Sequence, residues 1–425
     1  CVLLYRQSTV LVYRMKSNPV PATLFVHNRS RLASLMSQDS VALIRSGKRK
    51  QRNGDQFYPF RQHSDFFYLT GINMEESIFV FTPGHPDPNL RETLFIKRPT
   101  LKSELWTGQT PGPEQVQALS GIKQVRWLEE QDAFLQLLIP EASMLYTDHE
   151  TGAIPYQHKT SLAPLLQSLR MIKQLEEIEE IRKAISITRS AFLRVLQKVE
   201  PGFYEYQVEA EIIGEFIGRG AEGHAFEPIM ACGKNALVLH YVKNNCICRE
   251  GELLLMDFGA EINHYAADCS RTIPISGRFS RRQRLLYDAT LRVFRKARDL
   301  MVPGTLMSDF HQAVGEFWEE EHIGLGLYSR EEAEAHAGSE PLWKNFFMHG
   351  TSHSMGLDVH DPFDRLKPFK PGMVLTCEPA IYIPKEKLGI RLENDILITD
   401  RGPVDLMEDI PIEADEIEEL MNRTS

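Results

Sequence analysis

Two strand-turn-strand segments with acidic residues in facing positions constrain this chain more than any other feature of its sequence. Leu253 to Met256 is an apolar run ending in Asp257-Phe-Gly259, and Tyr265 to Ile275, which contains Asp268, reads as the returning strand. A turn at Ile262-Asn263 sets Asp257 directly opposite Asp268, with Cβ atoms about 5 Å apart. Further on, Val374 to Ile383 and Leu388 to Ile398 are joined by Pro384-Lys-Glu-Lys387. A hairpin centred between Lys385 and Glu386 sets Glu378 opposite Glu393. Like charges this close destabilise a ribbon unless something positive lies between them.

Histidine supplies the complementary chemistry. His349, His353 and His360 crowd one short segment, with Gly350 and Gly356 allowing tight backbone paths among them. Neutral imidazole is the commonest transition-metal ligand, and three beside an acid point to a site. His322 and His336 lack such company and are assigned to the surface. Four carboxylates converging on an imidazole are untenable without cations. Two divalent ions about 3.5–4 Å apart resolve the conflict. Oxygen-rich ligation with one nitrogen suits manganese, cobalt or zinc better than copper.

At 425 residues the chain exceeds the usual size of a single core, so two domains are expected. Residues 22–165 alternate apolar strands with short helices, the pattern of an α/β domain. Val41 to Ile44, Ser77 to Phe81 and Thr93 to Ile96 read as its buried strands. A long helix opens near Leu169, with Ile172, Leu175, Ile178, Ile181 and Ile185 on its apolar face. It begins a second domain over 166–425. Within that domain a faint repeat relates Val199-Glu-Pro-Gly-Phe203 and Glu215-Phe216 to Val302-Pro-Gly-Thr305 and Glu316-Phe317. Each copy reads as a helix ending at Pro-Gly, a second helix and then strands. Residues 1–21 are set aside as a leader, a transit peptide or an unrelated extension before Met15.

Composition excludes some functions. A net charge of −10 argues against broad nucleic-acid binding, and no apolar run is long enough to span a bilayer. The six cysteines show no disulfide-framework spacing. They read as reduced thiols in a reducing, cytoplasmic setting, with organellar targeting by the leader still open.

The second domain resembles the pita-bread metallopeptidases, and residues 22–420 as a whole resemble the aminopeptidase P family. The likeness rests on Tyr58 to Gly71, Glu104 to Gly108, Leu239-His-Tyr241, Asp257 to Thr272, His349 to Asp361, Pro371 to Val374, Glu378-Pro and Arg391 to Asp395. It implies an α/β N-terminal domain followed by an α+β pita-bread catalytic domain. It also implies five metal ligands. Asp257 holds one cation, His353 and Glu378 hold the other, and Asp268 and Glu393 bridge both. His240 and His360 match non-ligand catalytic histidines, and His349 another that lines the site. Glu378 doubles as proton shuttle, and Arg391 supports the ligands. Tyr382 and Trp106 are expected to wall a proline pocket, and Asp55 to reach the site across subunits of a dimer or tetramer. The implied reaction releases the first residue of peptides with proline second.

Phe258 and Ala380 depart from the family's smaller residues, and the loop from Pro384 to Leu388 is short. None of these positions supplies a ligand atom. Prolidase, restricted to Xaa-Pro dipeptides, is the nearest alternative. Ser352 and the Tyr58–Gly71 segment favour aminopeptidase P. Methionine aminopeptidases usually lack the first domain. A non-catalytic module binding peptides, histones or RNA would be expected to have lost ligands.

Overall fold

The computed structural model describes residues 18–148, 158–336 and 340–422, so the leader segment up to residue 17 lies outside it. The three apolar runs of the first domain become central strands of a six-stranded mixed sheet. Its order is Gln124–Trp127, Glu92–Ile96, Ile78–Phe81, Ser40–Arg45, Met144–Tyr146 and Lys159–Thr160. Val41, Leu43, Ile78, Val80 and Phe95 pack on one face against Phe134, Leu135 and Leu138. Ala42, Ile44, Phe79, Phe81, Leu94 and Ile96 face the other way, into a core that continues into the second domain. Unbroken rather than alternating apolar runs are what a sheet buried on both faces requires.

The second domain is built twice over. Helix Leu175–Lys198 ends at Pro201-Gly202, helix Glu205–Gly218 follows, and then comes a sheet of Ile229–Cys232, Leu253–Phe258 and Cys269–Pro274. Helix Arg281–Asp299 likewise ends before Pro303-Gly304, helix Met307–Gly324 follows, and the sheet is Val374–Cys377, Asn394–Thr399 and Gly402–Asp405. Gly202 and Gly304 both adopt positive φ, at 101° and 94°, a region that favours glycine. The repeat in the sequence therefore has a counterpart in space.

Three expectations change. The helix expected from Leu169 is two helices, Ala163–Arg170 and Leu175–Lys198. The Glu177 carboxylate accepts from the Gln174 N–H at 2.8 Å and restarts the helix, while Lys173 leaves the axis to reach Asp361 at 3.1 Å. Leu175 is consequently exposed, whereas Ile178, Ile181 and Ile185 are buried. Cys232 and Cys248 form a disulfide, because the sheet brings the end of one strand against the approach to the next. Cysteine usage therefore no longer argues for a reducing compartment. Cys246, Cys269 and Cys377 are free. His322 is buried, not on the surface, stacked on Trp318 with ring centroids 5.0 Å apart. His336 is exposed. No described helix is long and apolar enough to cross a membrane.

The seam between domains is charged. Arg61 pairs with Glu261 at 2.7 Å, and Ser64 donates to Asp358 at 2.6 Å. Buried Arg170 reaches Asp65, Asp358 and Asp361. Residues of the Tyr58–Gly71 segment thus brace the tip of the Asp257–Asp268 ribbon and the loop that ends in His360.

Candidate active site

The first ribbon is registered differently from expectation. Asp257 pairs with Ser270 and Phe258 with Cys269, so Asp268 lies opposite Gly259 rather than Asp257. The turn is Asn263-His264, whose φ angles of 48° and 67° suit a tight two-residue hairpin turn. Moving the partner of Asp257 by two residues keeps Asp268 on the same face, as its diagonal neighbour. Gly259 permits this register, because a Cβ there would sit 1.7 Å from the Ala267 carbonyl oxygen. The second ribbon follows its expected register, with Ala380 opposite Arg391 and Cys377 opposite Asn394. Between those two ladders the pairing opens at Glu378 and Glu393. The Glu393 N–H donates instead to the Ser270 carbonyl, tying the two ribbons together.

This junction brings all five expected ligands to the floor of one cavity of about 650 Å³. Atoms of Asp268, His353 and Glu393 able to hold a cation lie within 4.8 Å of one another. His353 Nε2 is 3.4 Å from Asp268 Oδ2 and 3.8 Å from Glu378 Oε1. His353 Nδ1 faces the Ser354 carbonyl at 3.2 Å, which assigns its proton there and leaves the Nε2 lone pair toward the carboxylates. Burial first, then repulsion from Glu393, pushes the Asp268 and Glu378 carboxyls well above the usual range. Burial and then Asp257 raise the Glu393 carboxyl as well. Among the described residues Asp257 Oδ1 has no hydrogen-bond partner. Mutually repelling, under-satisfied carboxylates around an imidazole lone pair fit divalent cations by donor chemistry.

Arg391 supports this floor from behind. Its Nη2 lies 2.6 Å from Asp257 Oδ2, and its Nε donates to Ser270 Oγ at 2.7 Å. Ser270 in turn donates to Glu393 Oε2 at 2.7 Å. Arg391 Nη1 donates to the Tyr382 hydroxyl at 3.0 Å, which contacts His349 Nε2 at 2.9 Å. Tyr382 therefore braces Arg391 and His349. It is buried, and it does not wall the cavity as expected. Burial, then Arg391, pushes His349 down to about 3, so this imidazole stays neutral.

His240, His349 and His360 line the cavity, and His360 lies 4.3 Å from His353 between ring centroids. Trp106 and Asp55 do not reach it within one chain. Trp106 is 78% exposed on helix Leu101–Thr107, and Asp55 is exposed at the turn of the Gln51–Phe57 hairpin. The apolar lining comes instead from Phe226, Leu239, Val242, Met307, Val359 and Phe363. Ser270 and Asp395 escaped the sequence reading. Asp395 is buried and accepts from the Asp268 N–H at 3.2 Å. Each follows a ligand by two residues, so strand periodicity could have put both on the ligand face.

Residues 179–400 match the family model for metallopeptidase family M24, and residues 25–146 match the aminopeptidase P N-terminal domain. The Xaa-Pro aminopeptidase of Escherichia coli K12 is 33% identical, over 93% of this chain and 97% of its own length. The structure of Pseudomonas aeruginosa aminopeptidase PepP superposes with a TM-score of 0.88 at 30% identity, covering 95% of this chain and 98% of that one. Zinc-substituted Escherichia coli aminopeptidase P in complex with product gives 0.87 at 31%, covering 95% and 99%. The chain belongs to metallopeptidase family M24, among the aminopeptidase P proteins with their two-domain, pita-bread architecture.

Proposed function

We propose that this chain releases the N-terminal residue from peptides with proline in second position. In this reading Asp257, Asp268, His353, Glu378 and Glu393 would together hold two divalent cations. The observation that carries it is the convergence of these five side chains on one cavity floor, with the carboxyls of Asp268, Glu378 and Glu393 pushed up by burial and mutual repulsion. Such cations supply Lewis acidity, polarising a carbonyl and making hydroxide available near neutral pH. The oxygen-rich donor set favours manganese, with cobalt and zinc as alternatives.

The chain's own residues do the rest. His240 donates a hydrogen bond to the oxyanion as it develops, a contribution of about 2.7–4 kcal/mol for one such donor. Glu378 delivers a proton to the departing proline nitrogen. His360 holds the carbonyl beyond the scissile bond, and neutral His349 lines the pocket beside Glu378, 3.6 Å away. Proline has no N–H and presents a rigid apolar ring, which suits walls such as Phe226, Val359 and Phe363. Another residue there leaves its N–H unpaired, at about 1–3 kcal/mol. Trp106 and Asp55 act in this proposal on the cleft of another copy in a homo-oligomer. Exposure of Leu101, Leu105 and Trp106 on one short helix supports such an interface.

The test strips the protein with chelator, restores manganese, cobalt or zinc singly, and analyses products from Gly-Pro, Arg-Pro-Pro and Arg-Ala-Ala. Metal-dependent release of Arg from Arg-Pro-Pro is expected. Cleavage of Gly-Pro alone would make the chain a prolidase, and equal cleavage of Arg-Ala-Ala would remove proline selection. Glu393→Gln should lose bound metal and activity together. Full activity in that variant would refute the ligand set.

A further inference from the structure

We propose that Glu205 is a positioning residue for this reaction, its carboxylate fixing the loop that carries His240 to the cavity wall. The inference rests on the reading above, in which His240 meets the developing oxyanion. His240 is exposed to the cavity, and among the described residues no hydrogen bond holds its imidazole. Its place is therefore set by the backbone of the loop between strands Ile229–Cys232 and Leu253–Phe258.

Glu205 opens helix Glu205–Gly218 and is completely buried. Its carboxylate accepts four hydrogen bonds, each 2.8 Å long. The donors are the Cys232 N–H, Asn235 Nδ2, the Tyr241 hydroxyl and the Cys246 N–H. Cys232 ends the strand that enters that loop, the other three belong to the loop itself, and Tyr241 is the neighbour of His240. The Glu205 N–H also donates to the Cys246 carbonyl at 2.9 Å. An acid in a first helical turn ordinarily serves the helix's own amides. Here the carboxylate bonds the loop and the strand end that enters it, and four donors fill its lone-pair sites. Asn244 and the Cys232–Cys248 disulfide fasten the ends of the same segment. Glu205 binds residues on both sides of His240, directly beside it at Tyr241.

The test is a double-mutant cycle on the manganese-loaded enzyme, with kcat, KM, bound metal and melting temperature read for each variant. Glu205→Ala should lower kcat about 10–100-fold, the effect of displacing a catalytic group by about 1 Å, with KM and bound metal unchanged. Glu205→Gln should fall between, because its amide oxygen keeps two donors while its NH2 opposes the Cys246 N–H. In a His240→Ala background, Glu205→Ala should change kcat by no more than about twofold, since it acts through that histidine. Multiplying effects, an unchanged kcat, or loss of metal in step with activity would each overturn the proposal. If Glu205→Ala does not fold, the same cycle with Glu205→Gln decides. A wild-type kcat in His240→Ala alone would remove the role given to that histidine and this inference with it. A silent Glu205 variant beside an essential His240 would remove only the inference.

Discussion

Arg391 holds three partners with one planar group, and that geometry has no lysine equivalent. Its separate nitrogens reach Asp257, Ser270 and Tyr382, and through Ser270 it steadies Glu393. An ammonium is a single point charge on a flexible stem and cannot span these directions. Arg391→Lys is expected to lower metal affinity or activity about 10–100-fold, measured by metal titration and peptide turnover. At the same scale His322 links burial to pH. Burial pushes its pKa from the ordinary 6.5 to about 3, as it does for His264. The unfolded chain therefore binds more protons between those values. The stability these imidazoles contribute is complete above pH 6.5 and is lost as pH falls toward 3. Each group adds a slope approaching about 1.4 kcal/mol per pH unit. His322→Phe keeps the stacking on Trp318 and should flatten the melting-temperature profile across that window by one group's share. A profile matching wild type would contradict the assignment.

At the scale of elements the two ribbons meet the same requirement differently. The second keeps a simple register and opens only at its two glutamates. The first depends on a two-residue turn and on Gly259, over which the Ala267 carbonyl passes too closely for any side chain. Gly259→Ala forces the strands apart just where Asp268 must face the cavity. A loss of about 1–3 kcal/mol in denaturant unfolding is expected from overpacking. Metal stoichiometry should fall in the same variant. Unchanged stability would mean that the ribbon tolerates a different path.

For the molecule as a whole, the seam between domains is joined to the chemistry through Arg170. This buried guanidinium binds Asp65 of the first domain together with Asp358 and Asp361, and Asp361 adjoins His360. Removing one member of a buried charge network strands the others in low dielectric. Arg170→Met should cost about 3–5 kcal/mol in calorimetric or denaturant unfolding and lower turnover through His360. If stability and kcat both held at wild-type values, the first domain would not be supporting the site through this contact.

The fold class and the residue types of the site were legible in the sequence, because local chemistry encodes them. Strand-length apolar runs mark buried strands, and an acid inside such a run needs a counter-charge wherever the chain goes. The second ribbon's register was also readable, since its short connection leaves little choice. Other features depend on contacts between residues distant in the chain. Only the tertiary structure moved Asp257 opposite Ser270 and paired Cys232 with Cys248. It also turned Tyr382 from the expected pocket wall into a brace and buried His322 beside Trp318. Those outcomes follow from which backbones can approach one another, and no single segment carries that information.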